Sequence, residues 1–538
     1  MLNFTSALAT IVCSQIHGPV IQWHDDPLTS ATVTWVERLD STETGGSAVW
    51  REGRAGFGYG DGDDATQLTD MQGRYTRVHI AREFQNSVDE ETELTLQIQY
   101  DDAFRVWING EAVLAVGVDD HGDVTSHESS DWEEFRNPAK LRKGANLICL
   151  TGYNVSPGSS DFTLHPQLHN GAEVLIPEGK TWRFLAGANP KNNAWLRKLP
   201  ELPEAEPEVV EVETGEWKFQ LFPGNEAAGE ARSITVETLP FADTGNLVHN
   251  ARIQDLAPAQ DWSFRIWTGK KEVDVGWFRT APANADQPIS FVTGGDMGLD
   301  AAIPINELAG REDPLFALLG GDLAYANGRD AHKWYEWLDN WRNQAVGPNG
   351  NLVPMIAVIG NHETGSGLNE DQVADTLMHR NAKFYYTLFE LPERRTNFVV
   401  DFADYLSVVA LDSQHTQSVD AQTEWLRETL AARRNVTHVF ACYHRPAWGT
   451  GVKGNIKPIQ EQWCPLFEEF QIAAAFENDH HVYKRTWPLT AGVRDDERGI
   501  LYIGDGAWGA GTREITDRKL KSVGADIFTW PNGPAKIT

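Results

Sequence analysis

The chain has 538 residues, which at roughly 150 residues per domain is enough for three or four domains with buried cores. Its 41% hydrophobic and 23% charged residues exclude a disordered chain, and 20 Trp with 47 Gly favour aromatic-rich β structure with many turns. The 46 Lys and Arg against 77 Asp and Glu leave a net charge of −31, a field that opposes binding to nucleic acid.

Residues 1–17 hold a short apolar stretch without a basic flank, a weak basis for a signal peptide. From Pro19 the sequence predicts two short strands around an Asp-Asp-Pro turn, the second alternating Ala31, Val33 and Trp35. Between 41 and 200 the text changes to Gly/Asp-rich loops and aromatic strands (YTRVHIAREF, ELTLQIQY, AFRVWING, ANLICLTGYN, DFTLHPQL), a self-contained all-β module. In this module GFGYGDG at 56–62 lacks a following helix and reads as a turn rather than a phosphate loop, and its continuation DGDD as a solvated turn rather than a calcium loop. Residues 201–216 carry seven Glu and two Pro, a self-repelling connector. Short strands then resume (WKFQLF, SITVETL, NLVHNARI, WSFRIWTG, VGWFRTAP) with the spacing of a β-sandwich that lacks its first two strands. The pair at 18–40 completes it, so 18–40 and 205–283 are expected to form one sandwich with 41–200 inserted into it, the alternative being three successive β modules.

After Asp286 the grammar is α/β. The runs ISFVTGGD, LFALLGGD, MIAVIGNHE, LSVVALDS, HVFACYH, IAAAFENDHH and ILYIGDG read as short buried strands, and AQTEWLRETLAARR and PIQEQWCPLFEEF as helices. No apolar run approaches the roughly 18 residues needed to span a membrane. Cys13, Cys149, Cys442 and Cys464 are far apart and form no CxxC pair, which disfavours a disulfide framework or a thiolate zinc site.

The chemistry lies where these strands end: Asp296, Asp322, Asn361 with His362, Asp412, His444 and the run Asp479, His480, His481. Open α/β sheets place ligand sites at the carboxyl ends of their strands, so these residues are expected to converge. A set rich in oxygen and imidazole and free of thiolate suits Mn, Fe or Zn in a working site. The ordered motifs GGDMG (294–298), GGDLAY (320–325), GNHE (360–363), YHRP (443–446) and DHHVYKR (479–485) resemble the calcineurin-like metallophosphoesterases. The spacing from Asp322 to Tyr325 is similar to the purple acid phosphatase branch, and the split sandwich ending in GWFRTAP (276–282) resembles that branch's fibronectin-like domain. The inserted module, with DDAFRVWINGE at 101–111, resembles galactose-binding-like jelly rolls, Trp107 being read as core rather than as a sugar platform. The fold class is therefore multidomain: a fibronectin-like sandwich with a jelly-roll-like insertion, followed by a layered α/β metallophosphoesterase domain at 287–538.

The resemblance implies two metal ions, iron with a divalent Mn, Zn, Fe or Mg. It makes Asp322 the bridging ligand, assigns Asp296, Tyr325 and His481 to the ferric position and Asn361 and His444 to the divalent one, and gives His362 contact with the phosphoryl group or protonation of the leaving oxygen. One departure stands out: the family motif Gly-His-x-His-x-Tyr-x-Arg, anchored on Tyr483 and Arg485, puts Asn478 on the glycine and Asp479 on the first histidine. Asp479 replaces imidazole by carboxylate, or a local shift brings His480 into its place, or the second metal is lost altogether. The expected activity is phosphoester hydrolysis by a hydroxide bridging metals roughly 3.5–4 Å apart, on phosphomonoesters first and diesters second. The alternative is a glycan-binding or surface-attachment protein with a decayed phosphoesterase domain. Expected partners are the phosphoester substrate and glycans at the insertion, with no nucleic acid and no membrane span; the expected location is secreted or periplasmic.

Overall fold

The computed structural model describes residues 13–40, 50–202, 216–365, 381–515 and 527–528, apart from 61–63, 69–70, 72–74, 88, 120–121, 129–130, 157–158, 172, 187–189, 191–192, 243, 451 and 505. The leader reading at 1–12, the centre of the Glu-rich connector and most of the DGDD turn lie outside the described residues. The chain divides into two compact units, 43–210 and the remainder, 1–42 with 211–538.

The unit at 43–210 is a two-sheet β-sandwich. One sheet runs Glu133–Leu141, Glu90–Tyr100, Phe162–Asn170, Phe57–Tyr59, Thr66–Gln67, and the other Arg51–Arg54, Thr181–Ala186, Arg77–Asn86, Gly144–Tyr153, Ala103–Ile108, Glu111–Val116. Period-two alternation drives it: in Phe162–Asn170, Phe162, Leu164 and Leu168 point inward and join Ile98, Phe104, Ile148 and Phe184 in the core. Trp107 lies outside that core. It is half-buried on the reverse side of its sheet, edge-on to Trp195 at 5.9 Å, in a satellite cluster with Trp50, Leu147 and Cys149.

In the other unit, Cys13–Gln22 pairs with Ala31–Asp40, and Ala31–Asp40 with Leu247–Ile253, so strands from both sides of the 43–210 stretch share one sheet. Its companion sheet is Arg232–Ile234, Trp217–Pro223, Asp261–Thr268 and Lys271–Arg279. Trp35 packs on Phe219, and Phe219 on Phe264, between the two. This sandwich does not stop before the α/β layers. Gln22 pairs in parallel with Met355, making one seven-stranded sheet that ends in Met355–Ala357, Phe316–Leu319 and Phe291–Gly294.

A second α/β sheet runs Phe398–Phe402, Leu406–Ala410, His438–Tyr443, Ala474–Glu477, Leu501–Gly504, Lys484–Arg485. Its four central strands are parallel and almost wholly apolar, as burial on both faces demands. Phe291 meets Phe440 and Phe476, and Phe316 meets Phe402, so the two sheets pack face to face. Ala331–Gln344 is a helix capped by the Asp330 carboxylate on the His332 N–H, and Val419–Ala431 a helix capped by Ser418. Cys149, Cys442 and Cys464 are buried free thiols.

Candidate metal centre

Each candidate residue leaves the carboxyl end of one of the parallel strands. Asp296 follows Phe291–Gly294, and Asp322 and Tyr325 follow Phe316–Leu319. Asn361 and His362 follow Met355–Ala357, His444 follows His438–Tyr443, and Asp479 and His481 follow Ala474–Glu477. The chain turns sharply at these ends, and Asp296, Asp322, Tyr325, Asp479 and His481 all adopt left-handed backbone, with φ of +58°, +54°, +54°, +66° and +53°. Such conformations cost of order 1 kcal/mol or more each for residues with a Cβ and gather where function requires an aimed side chain. Close approach also needs glycine: a Cβ on Gly320 would lie 1.7 Å from Asn478 Nδ2, and one on Gly360 2.3 Å from the Asp322 nitrogen.

Asp296, Asp322, His444 and Asp479 each offer a ligand atom within 4.8 Å of the others, and all four are buried. His444 donates Nδ1–H to the Gly320 carbonyl at 2.8 Å, which leaves its Nε2 3.0 Å from Asp322 Oδ2 and 3.6 Å from Asp479 Oδ1. This fully buried Nε2 faces two carboxylates, and once it gives up its proton its lone pair fits a cation placed between them. His481 is held the same way, Nδ1–H to the Gly511 carbonyl at 3.1 Å, with Nε2 3.0 Å from Asp296 Oδ1. The Tyr325 hydroxyl lies 3.3 Å from Asp296 Oδ1 and 3.5 Å from His481 Nε2. The donor set of carboxylates, phenol and Nε2 imidazoles therefore suits hard or borderline metal ions.

Electrostatics reflect this crowding. Burial opposes ionisation of Asp322, yet His444 and His362 outweigh it and hold its carboxyl below the usual range. At Asp479 burial is likewise outweighed by His444 and Lys453. Burial, then the charges of Asp296, Asp322 and Glu363, push the Tyr325 phenol far up, so it ionises only against a strong local cation.

His362 stands at the edge, its side chain about one-third exposed, with Nε2 3.9 Å from Asp322 Oδ2. Its Nδ1–H donates to Asn327 Oδ1 at 2.5 Å, its ring packs 4.2 Å from that of Tyr325, and its N–H donates to Asp322 Oδ1 at 2.7 Å. Asn361 opens the 3₁₀ turn Asn361–Glu363 immediately after Gly360, beside the Asp322 backbone. His480 points elsewhere. Its Nδ1 accepts the Thr450 N–H at 3.3 Å in a buried pocket against Gly449, burial holds its imidazole down to about 3, and it is not one of the four clustered ligands. Asp412, although at a strand end, turns into its own loop. Its carboxylate accepts from the His415 and Thr416 N–H groups and from the Thr396 and Thr416 hydroxyls at 2.6–3.0 Å.

Sequence reasoning passed over three supporting residues. Glu363, wholly buried, accepts N–H bonds from Asp322, Leu323 and Gly360 at 2.7–2.8 Å and so ties the GGDLAY loop to the GNHE turn. Burial and the neighbouring Asp322 push its carboxyl up to about 7. The available signal was a charged residue inside an otherwise glycine and ligand motif. Asn327 orients His362, and Lys453 forms a close ion pair with Asp479 Oδ1; neither stands in a motif.

Residues 274–481 match the calcineurin-like phosphoesterase family. Two Mycobacterium tuberculosis proteins, MT2654 of strain CDC 1551 / Oshkosh and Rv2577 of strain H37Rv, both called uncharacterized, are each 25% identical to this chain over 326 residues. Those matches cover 51% of this chain and 58% of each relative, so the chain spans a little over half the length of the curated relatives it matches. Among solved structures, purple acid phosphatase PPD1 from yellow lupin (Lupinus luteus) superposes with a TM-score of 0.47 at 13% identity, covering 83% of this chain and 86% of that one. PhoD gives 0.42 at 14% identity, covering 55% and 70%.

Proposed function

We propose, on the premise that residues 274–481 are a calcineurin-like phosphoesterase domain, that this protein hydrolyses phosphate esters at a two-metal centre, with phosphomonoesters as the first class and diesters as the second. The observation that carries this reading is the convergence of Asp296, Asp322, His444 and Asp479 within 4.8 Å. In it, Asp296, Tyr325 and His481 would hold iron, Asn361, His444 and Asp479 would hold a divalent Mn, Zn, Fe or Mg, and Asp322 would contribute to both. Bound there, the ions would neutralise phosphoryl oxygens and lower the pKa of water, so that no side-chain nucleophile is required.

The chain's own contribution is positioning and proton supply. Gly320 and Gly511 carbonyls fix the two ligating imidazoles with Nε2 inward. Asn327 holds His362 at the edge of the site with Nε2 on the side of Asp322, where it could meet a phosphoryl oxygen or protonate the departing alkoxide. Three buried carboxylates would repel a phosphate, so substrate affinity depends on the cations they collect. We assign 18–40 with 205–283 to the fibronectin-like sandwich, 41–200 to an accessory module suited to glycans, and 287–538 to catalysis, in a secreted or periplasmic protein.

Metal analysis of the purified protein, combined with hydrolysis of p-nitrophenyl phosphate and bis-p-nitrophenyl phosphate, tests the assignment. The expected result is iron plus a divalent ion, with the monoester cleaved faster. A protein saturated with iron and manganese that cleaves neither ester refutes it.

A further inference from the structure

Asp479 stands where the resemblance places an imidazole, and this adds a negative charge to the divalent half of the site. The chain supplies a positive charge to meet it. Lys453, on the loop at 449–457, places its ammonium on Asp479 Oδ1, with the lysine side chain 40% exposed and that of Asp479 5%. The loop is tied down on both sides of the lysine: the Gly449 N–H donates to Asn455 Oδ1 at 2.9 Å, the Ile456 N–H to the Pro446 carbonyl at 3.1 Å, and the Thr450 N–H to His480 at 3.3 Å. Lys453 is thus delivered by a braced loop rather than by a free surface arm.

The identity of the oxygen matters. Oδ1 is the Asp479 atom that faces His444 Nε2, 3.6 Å away, whereas Oδ2 looks toward His480 Nε2 at 3.9 Å. A metal ligated jointly by His444 and Asp479 must therefore take the lone pairs of Oδ1 that the Lys453 ammonium engages. One carboxylate oxygen can serve both cations only at the cost of bringing two positive charges together without a ligand between them.

We propose that Lys453 is a tethered cation that competes with the second metal ion for Asp479. The first ion would bind among Asp296, Tyr325, His481 and Asp322, outside the Lys453–Asp479 ion pair. The second displaces the lysine toward solvent and binds more weakly by the fraction of molecules in which Asp479 is released. Lys453 is then a specificity-determining residue of the divalent half, one that raises the metal concentration at which that half fills. This inference rests on the metal-hydrolase reading, and the experiment separates the two.

The full chain is stripped with chelator and titrated with Mn2+ alone, following binding by calorimetry and by the manganese paramagnetic resonance signal, for the unaltered protein, Lys453→Met and Lys453→Arg. Methionine keeps the apolar stem without the charge. The expected result is a tight first ion and a weaker second in the unaltered chain, a second-ion affinity raised by about tenfold or more in Lys453→Met with the first unchanged, and weak second binding retained in Lys453→Arg. Second-ion affinity that is unchanged or weaker in folded Lys453→Met overturns the proposal while leaving the metal-hydrolase reading in place, as do two equal sites in the unaltered chain. Absence of manganese binding in all three proteins overturns both.

Discussion

The two halves of the proposed metal centre are built on one scaffold and differ in what accompanies the carboxylate of each, a phenol beside Asp296 and a lysine beside Asp479. In the first, Asp296, Tyr325 and His481 touch one another at 3.0–3.5 Å, and each matches the motif residue the resemblance assigns to it. In the second, His444 lies between Asp322 at 3.0 Å and Asp479 at 3.6 Å, but a carboxylate stands where the resemblance places an imidazole and a lysine ion pair accompanies it. Strand ends, left-handed turns and glycine contacts are common to both halves. A site can therefore keep the geometry of its ligands while the charge of one half changes, and the change is answered by a residue far away in sequence.

Removal of the residue common to both halves has the largest expected effect. Asp322→Asn should lose at least one metal and lower kcat/KM by more than about a hundredfold, since even outer partners of metal ligands are worth 10- to 100-fold. Metal analysis and circular dichroism should find a folded protein; two retained metals with normal turnover would remove the comparison altogether.

The first half alone is addressed by Tyr325→Phe. If the phenol ligates ferric iron, the iron-loaded protein carries a visible phenolate-to-metal band, and the substitution abolishes it. A colourless diferric protein would mean that Tyr325 merely packs against His362.

Acid should separate the halves further. Burial lowers the His444 pKa, but Asp322 and Asp296 outweigh it and raise it well above the ordinary 6.5. A ligating Nε2 must be free of its proton, so each second ion bound releases one proton below that raised value. Affinity for the second ion should fall by up to about tenfold per pH unit on acidification through and below neutrality. Manganese titrations at stepped pH measure this slope, and a flat profile would show that His444 is no ligand.

Exchange of the divergent ligand sharpens the contrast more gently. Asp479→His restores imidazole, should shift divalent preference toward zinc, and should keep activity within about tenfold, because carboxylate favours harder ions. His480→Ala should change metal affinity little. If that substitution instead abolishes binding and Asp479→Ala does not, the ligand is His480 and the turn is shifted by one residue.

The smallest effect is expected from deleting 42–200, because every candidate ligand lies after 290. Turnover on small aryl phosphates should be unchanged, and an inactive or aggregated product would show that the module supports the site.

Much of this was legible from residue order. Buried parallel strands must be short apolar runs, and every run assigned to the α/β part contains a strand at Phe291, Phe316, Met355, Leu406, His438, Ala474 or Leu501. The polar residues ending these runs are legible for the same reason, since polarity that interrupts an apolar run at its carboxyl end is conspicuous. The signal does not say what such a residue does. Asp412 ends a strand like the others, yet it spends its oxygens on its own loop, a choice made by the neighbouring Thr396 and Thr416. The antiparallel strand Phe398–Phe402 was not anticipated, because alternating burial beside a loop carries a weaker signal than a continuous run.

By itself the sequence determined the strands, the order of their chemical ends and the point at which the family motif breaks, because these depend on local periodicity and on residue type. Only the tertiary structure decided that Gln22 joins the sandwich to the catalytic sheet, that Glu363 clamps two loops, that Asp479 rather than His480 faces His444, and that Lys453 meets it. Those are contacts between residues tens to hundreds of positions apart. Their energy comes from burial and charge that exist only once the sheets have brought the loops together, and no local pattern encodes them.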